Sequence, residues 1–195
     1  MHTPMREMLR FTLKRLRVGM VSVTPASVAC SLTPVVRSFT AEEQTAARLV
    51  LGDSAIAWNR VRVVEEGFWR YLTALPPFSN RAFVWGYAIV IPDARRVSRS
   101  LIVHEAVHVL QYERGGWGYA LQSLVGQVRR GRAFYDYGGV DGLQRALATG
   151  KRLRDFNVEQ QASLAQHYYE ACLRGADTRF YEPFVAELRR GEVWT

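Results

Sequence analysis

The alternation of apolar and polar residues predicts a small sheet followed by a helical remainder. Thr40-Ala41-Glu42-Glu43 matches a capping box, in which a hydroxyl and a carboxylate each take up an unpaired amide at a helix start. It predicts a helix through about Leu51. Val61-Arg62-Val63-Val64 predicts a short strand, and residues 82–91, dense in Phe, Val, Trp, Tyr and Ile, predict one longer strand, punctuated by Pro76-Pro77 and Pro92. From Ser98 the apolar positions recur at helical spacing, over 98–114, 117–129, 141–148, 156–174 and 179–190. Gly115-Gly116, Gly138-Gly139 and Gly175 act as breaks. The fold class this predicts is α+β.

Pro25 and Pro34 bracket a Ser/Thr/Val-rich connector, which places the start of the domain near residue 36. Two units follow: a basic extension over 1–35 and one domain over 36–195, a size that buries a sizeable core. In the extension, Arg10, Lys14, Arg15 and Arg17 precede the apolar run Val18-Gly19-Met20-Val21-Ser22-Val23. This copies a signal peptide only loosely, because the run is short and Ser27-Val28-Ala29-Cys30 makes a poor lipoprotein-like site. A disordered segment or a helical arm is the better reading.

Charge changes the picture little. The net charge of +8 is held at the periphery, with +4 in residues 1–17 and +5 in residues 129–154, leaving a nearly neutral remainder. No nucleic-acid motif accompanies it, and Trp58, Trp69, Trp85, Trp117, Trp194 and the Tyr168-Tyr169 pair read as packing rather than base-stacking groups. Apolar residues at 48% and charged residues at 23% argue against whole-chain disorder. Cys30 and Cys172 match no zinc or redox spacing, which argues against a disulfide-dense scaffold and leaves a single bridge open. No apolar run reaches about 18 residues, so the expectation is a soluble protein without a transmembrane segment, cytoplasmic or exported by a non-classical route.

The chemistry concentrates in His104-Glu105-Ala106-Val107-His108. Histidines at i and i+4 lie one turn apart on one helix face, so both imidazoles can reach one metal ion. Glu105 points to the side of that pair, where a carboxylate can accept a proton from water. The flanking positions are uncharged and mostly apolar, which predicts a buried helix and a water-poor site. The alternative is a core helix that holds two hydrogen-bonded histidines.

A catalytic zinc site needs a third protein ligand. Glu159 is the first candidate, because it lies beside the apolar face Val158, Ala162, Ala165, Tyr169 and Cys172, where an unpaired carboxylate would be costly. The competing account makes Glu159 a helix-start carboxylate favoured by the macrodipole, with Asn157 as N-cap and Gln160 as its box partner. His167 is the next candidate, as ligand or transition-state group, and Asp136 and Asp141 follow. Residues 111 and 114 are Gln and Arg, so the third histidine of the metzincin spacing is absent. Two histidines and a carboxylate favour zinc among divalent ions.

With the capping-box helix, Leu51-Gly52-Asp53, Val61-Arg62-Val63 and Phe156-Asn157-Val158-Glu159-Gln160-Gln161-Ala162, the motif resembles the zincin superfamily, closest to its gluzincin-like branch. Over roughly residues 36–174 the order is similar to that of small bacterial zincin-like, Vgr-related proteins associated with type VI secretion, akin to core domains of contractile-injection and polymorphic-toxin proteins. The resemblance implies a zincin-like core, zinc held by His104, His108 and Glu159, Glu105 as catalytic base, and the 83–91 strand flanking the cleft and pairing with an extended peptide or protein substrate. It also implies a secretion-apparatus partner. The gap from His108 to Glu159 is long beside thermolysin-like enzymes, and Tyr168, His167 and Tyr112 are the candidate transition-state stabilisers.

Three functions follow in order of expectation. The first is zinc-dependent peptide hydrolysis. The second is a zincin-shaped interaction or carrier domain with little or no turnover. The third is a basic adaptor whose arm at residues 6–17, with Leu9, Phe11, Leu13 and Leu16 among arginines, touches membrane or nucleic acid.

Overall fold

The computed structural model describes residues 33–65, 67–73, 81–93, 97–116 and 134–193. The basic arm, Cys30, Trp117, Trp194, the Pro76-Pro77 pair and the helix expected over 117–129 lie outside the described residues. So does part of the second basic stretch.

The elements are strand β1 (Val35–Arg37), helix α1 (Ala41–Leu51), β2 (Arg62–Glu65), a short helix α2 (Phe68–Leu72), β3 (Phe83–Trp85), β4 (Ala88–Ile91), α3 (Arg99–Gly115), α4 (Gly139–Ala148), α5 (Val158–Leu173) and α6 (Glu182–Arg190). The class is α+β, with one mixed sheet ordered β1-β2-β4-β3. β1 pairs antiparallel with β2, β2 runs parallel to β4, and β3 returns antiparallel on β4.

The longer strand expected over 82–91 is instead a hairpin. Gly86 takes φ 65°, a left-handed conformation that glycine adopts freely, and the chain folds β3 back on β4 with Val84 opposite Ile89. The face of Gly86 where another residue would carry its side chain looks onto the ring of Tyr112 at 3.6 Å.

β4 and β2 form the buried centre of the sheet. Ile89, Val90 and Ile91 are all buried, as are Val63 and Val64, the continuous apolar run of strands covered on both faces. Val63, Ile89 and Ile91 join the main core with α1, α3 and α5, while Val64 and Val90, one step out of phase, face the other way. On that side α2 packs on β4, and Trp69 meets Phe83 edge-on at 5.7 Å.

α3 is the central helix. Every residue from Ile102 to Gln111 is buried, so it is enclosed on all sides by α1, α5 and the β3–β4 hairpin. Ser98 caps it by accepting from Leu101 N at 3.1 Å. The predicted capping box on α1 is present in both directions: Thr40 Oγ1 accepts from Glu43 N at 3.2 Å, and Thr40 N donates to Glu43 Oε2 at 2.8 Å. Among the described residues no helix is long and apolar enough to cross a membrane.

Candidate metal centre

The site forms where α3 lies against the first turn of α5. His104 and His108 sit one turn apart on α3, with ring centroids 5.0 Å apart and planes at 77°. Glu159 comes from the second position of α5, and Asn157 fixes that position: its side chain accepts from Glu159 N at 3.0 Å and Gln160 N at 2.9 Å. The two sequence-level accounts of Glu159 therefore both hold. It is a helix-start carboxylate behind an Asn157–Gln160 capping box, and it is also turned inward, 3% exposed.

Glu159 Oε2 lies 3.3 Å from His104 Nε2 and 3.3 Å from His108 Nε2. One ligand atom from each of the three residues falls within 4.8 Å of the others. Tetrahedral zinc with bonds of about 2.0–2.1 Å separates its ligand atoms by about 3.3–3.4 Å, so the two separations to Glu159 match that spacing, and two imidazoles with a carboxylate are donors of a type the ion takes. Glu105 is 4% exposed beside the pair, and its Oε2 has no hydrogen-bond partner in the protein. His104 Nδ1 is likewise buried without a protein partner.

The electrostatics are those of charges balanced out of water. Burial alone would raise the Glu159 carboxyl, but the charge of His108 and hydrogen bonds from both histidines hold it well below the usual range. Burial would lower His108, yet the Glu159 carboxylate outweighs it and raises the ring to about 9. Glu105 goes up, driven by burial and opposed by His104 and His108.

Two further side chains close on the site that the sequence reading did not name as participants. Tyr135 stacks on His104, centroids 6.4 Å apart and planes 28° apart, and its hydroxyl accepts from Arg81 Nη1 at 3.1 Å. Burial first, and then the Glu159 charge, push the Tyr135 phenol up to about 12. Gln111, one turn past His108 and fully buried, lies 2.7 Å from His108 Nδ1 through its Oε1. Its signal was available, because i+3 from a ligand histidine is a facing position. Tyr135 gave none, because the α5 cap brings it in: Asn157 Nδ2 donates to Phe134 O at 3.0 Å and Gln160 Nε2 to Asp136 O at 2.7 Å.

The expected transition-state groups fare differently. Tyr168 follows Glu159 by nine residues, half a turn round the helix, which faces it away from the ligand position. There its hydroxyl donates to Glu182 at 2.9 Å and its ring meets Tyr181. His167 Nδ1 lies 2.7 Å from the Tyr137 hydroxyl, and burial with the charge of His104 among its neighbours lowers its pKa, so it borders the site without joining the ligand group. Tyr112 packs edge-on against Tyr87 at 5.5 Å. Asp136 accepts from Gly138 N at 2.7 Å, and Asp141 lies exposed in the first turn of α4; neither belongs to the metal-competent group. Cys172 carries a free thiol.

Comparison with protein-family models, with curated proteins and with solved structures finds no match to this chain.

Proposed function

We propose that the chain is a zincin-like zinc metallopeptidase that hydrolyses peptide bonds by activating water. The observation that carries this is the equal 3.3 Å spacing of His104 Nε2 and His108 Nε2 from Glu159 Oε2, with the unpartnered Oε2 of Glu105 beside them. In this reading His104, His108 and Glu159 hold the ion, which when bound supplies Lewis acidity and lowers the pKa of water to about 7. Glu105 takes the proton from the attacking water and passes it to the leaving amine, a role suited to a carboxyl raised by burial. Tyr135, a phenol at neutral pH, is a donor suited to charge that develops on the scissile carbonyl oxygen. Service to a bacterial secretion apparatus, implied by the resemblance to Vgr-related zincin-like proteins, belongs to the same proposal.

The test is zinc content and release of peptides from a library. Wild type holds about one zinc per chain, while His108→Ala and Glu159→Ala lose most of it. Glu105→Gln keeps its zinc and turns over about 10²–10⁴-fold more slowly. Unchanged turnover in Glu105→Gln removes it as base, and no zinc in well-folded wild type removes the metal reading.

A second reading is favoured by the depth of burial: with Glu105, His104 and His108 all under a tenth exposed, the ion would serve a zincin-shaped interaction domain. That protein binds zinc and releases no peptide from any library.

A further inference from the structure

His108 is connected to the backbone at the start of α5 and after α6 by side chains whose direction their partners fix. Gln161 Nε2 faces three backbone carbonyls, Leu153 O at 3.2 Å, Phe156 O at 3.0 Å and Val193 O at 3.2 Å. A carbonyl only accepts, so the NH2 end of Gln161 is fixed and its Oε1 is turned to Gln111. Gln111 Nε2 donates to that Oε1 at 3.0 Å and to Val158 O at 2.9 Å. Its own Oε1 must then point to His108 Nδ1, 2.7 Å away, and an amide oxygen can only accept there. Reversing either amide would set oxygen against oxygen in a region where Gln111 and Gln161 are 0% and 2% exposed.

We infer that Gln111 and Gln161 form a buried amide relay that keeps a proton on His108 Nδ1 and so reserves Nε2 for the ligand position beside Glu159. Both are positioning residues: Gln111 touches the ligand histidine, and Gln161 holds Gln111 in the only useful orientation. A ring that ligates through Nε2 is neutral and carries one N–H, so an acceptor that holds that proton at Nδ1 leaves the lone pair at Nε2. The backbone carbonyls that anchor the relay come from the turn before α5, from α5 itself and from the segment after α6. The orientation of one histidine thus depends in part on segments before α5 and after α6 that carry none of the three residues of the group. The consequence for metal affinity rests on the metallopeptidase reading, whereas the proton on Nδ1 does not.

The experiment uses the full chain labelled with ¹⁵N at histidine, followed by long-range proton–nitrogen spectra without metal and with zinc, and by zinc affinity from chelator competition. In wild type, His108 shows a slowly exchanging Nδ1 proton in both states and ligates through Nε2. Gln111→Leu loses the proton's protection and binds zinc about 10–100-fold more weakly. A wild-type spectrum with Nδ1 unprotonated or ligating overturns the relay without recourse to any variant. So does Gln111→Leu that folds, keeps the protected proton and binds zinc within about twofold of wild type. If wild type binds no zinc at all, the metal reading fails, and the Nδ1 proton, followed at a pH where the ring is neutral, still decides the relay.

Discussion

Burial gives the Tyr135 phenol a single protonation state across the working range, since a group pushed up to about 12 remains a donor at neutral pH. Its hydroxyl is positioned by Arg81 and its ring by His104, so removing the oxygen should change chemistry and not architecture. Tyr135→Phe is expected to lower kcat by about 10-fold or more, in line with loss of one donor to a developing oxyanion, while zinc affinity stays at the wild-type level. A parallel fall in zinc affinity would show that the hydroxyl supports the His104, His108 and Glu159 group itself and not the reaction alone. At this scale, His104, Glu105 and His108 were legible because one short motif carries both their identity and their geometry. Glu159 was legible because a carboxylate beside an apolar helix face needs a reason to be there. Tyr135 was not, since its place is set by hydrogen bonds from Asn157 and Gln160 to a loop twenty-odd residues earlier.

The start of α5 does two jobs at once. Asn157 caps the helix, orients the backbone of Glu159 and holds the Phe134 carbonyl, so Glu159 and the Tyr135 loop share one anchor. Asn157→Ala should cost about 1 kcal/mol of stability, measured by urea unfolding of the metal-free protein, and should also weaken zinc binding. A stability loss with unchanged zinc affinity would mean that Glu159 keeps its place without the cap. The cap was readable because Asn157 and Gln160 are the residues a capping box uses. The hairpin was misread as one strand because apolar density hides a turn whose only marker is Gly86, although an isolated glycine in a strand pattern often marks such a break. β1 was not foreseen: Val35 and Val36 are half-exposed, and pairing with Val64 and Glu65 of β2 makes them a strand where local pattern does not.

Across the whole molecule, Arg37 ties three elements together, bonding Glu43 of α1 at 2.6 Å and Glu65 of β2 at 2.6 Å from its place on β1. Burial opposes ionisation of Glu43, but the Arg37 guanidinium and the Thr40 amide outweigh it and lower the carboxyl. A depressed folded pKa means that the unfolded chain binds the proton first. The stabilisation is therefore present above the ordinary carboxyl pKa of 4.5 and is lost as pH falls through the lower folded value. Melting temperatures of wild type and Glu43→Gln should differ at pH 7 and converge towards pH 3; a constant gap would show that the ion pairs contribute nothing through this group. The α+β class and the helix order were legible from periodicity, whereas the parallel pairing of β2 with β4 was not, because it joins segments separated by α2 and β3. The ligands are also distant in sequence: His104 and Glu159 stand 55 residues apart. An ion shared between them would close that stretch of chain as a reversible cross-link, which exists only while the chain is folded. Folding and loading would then be one equilibrium, with apparent stability rising by about 2.7 kcal/mol when free zinc exceeds its dissociation constant a hundredfold. Melts across a zinc-buffer series should climb with the logarithm of free zinc, and a flat series would uncouple the two. In a cell, a protein so coupled would be a gauge of available metal: where zinc was scarce a larger fraction would be open to proteases, and scarcity would be read out as lower abundance.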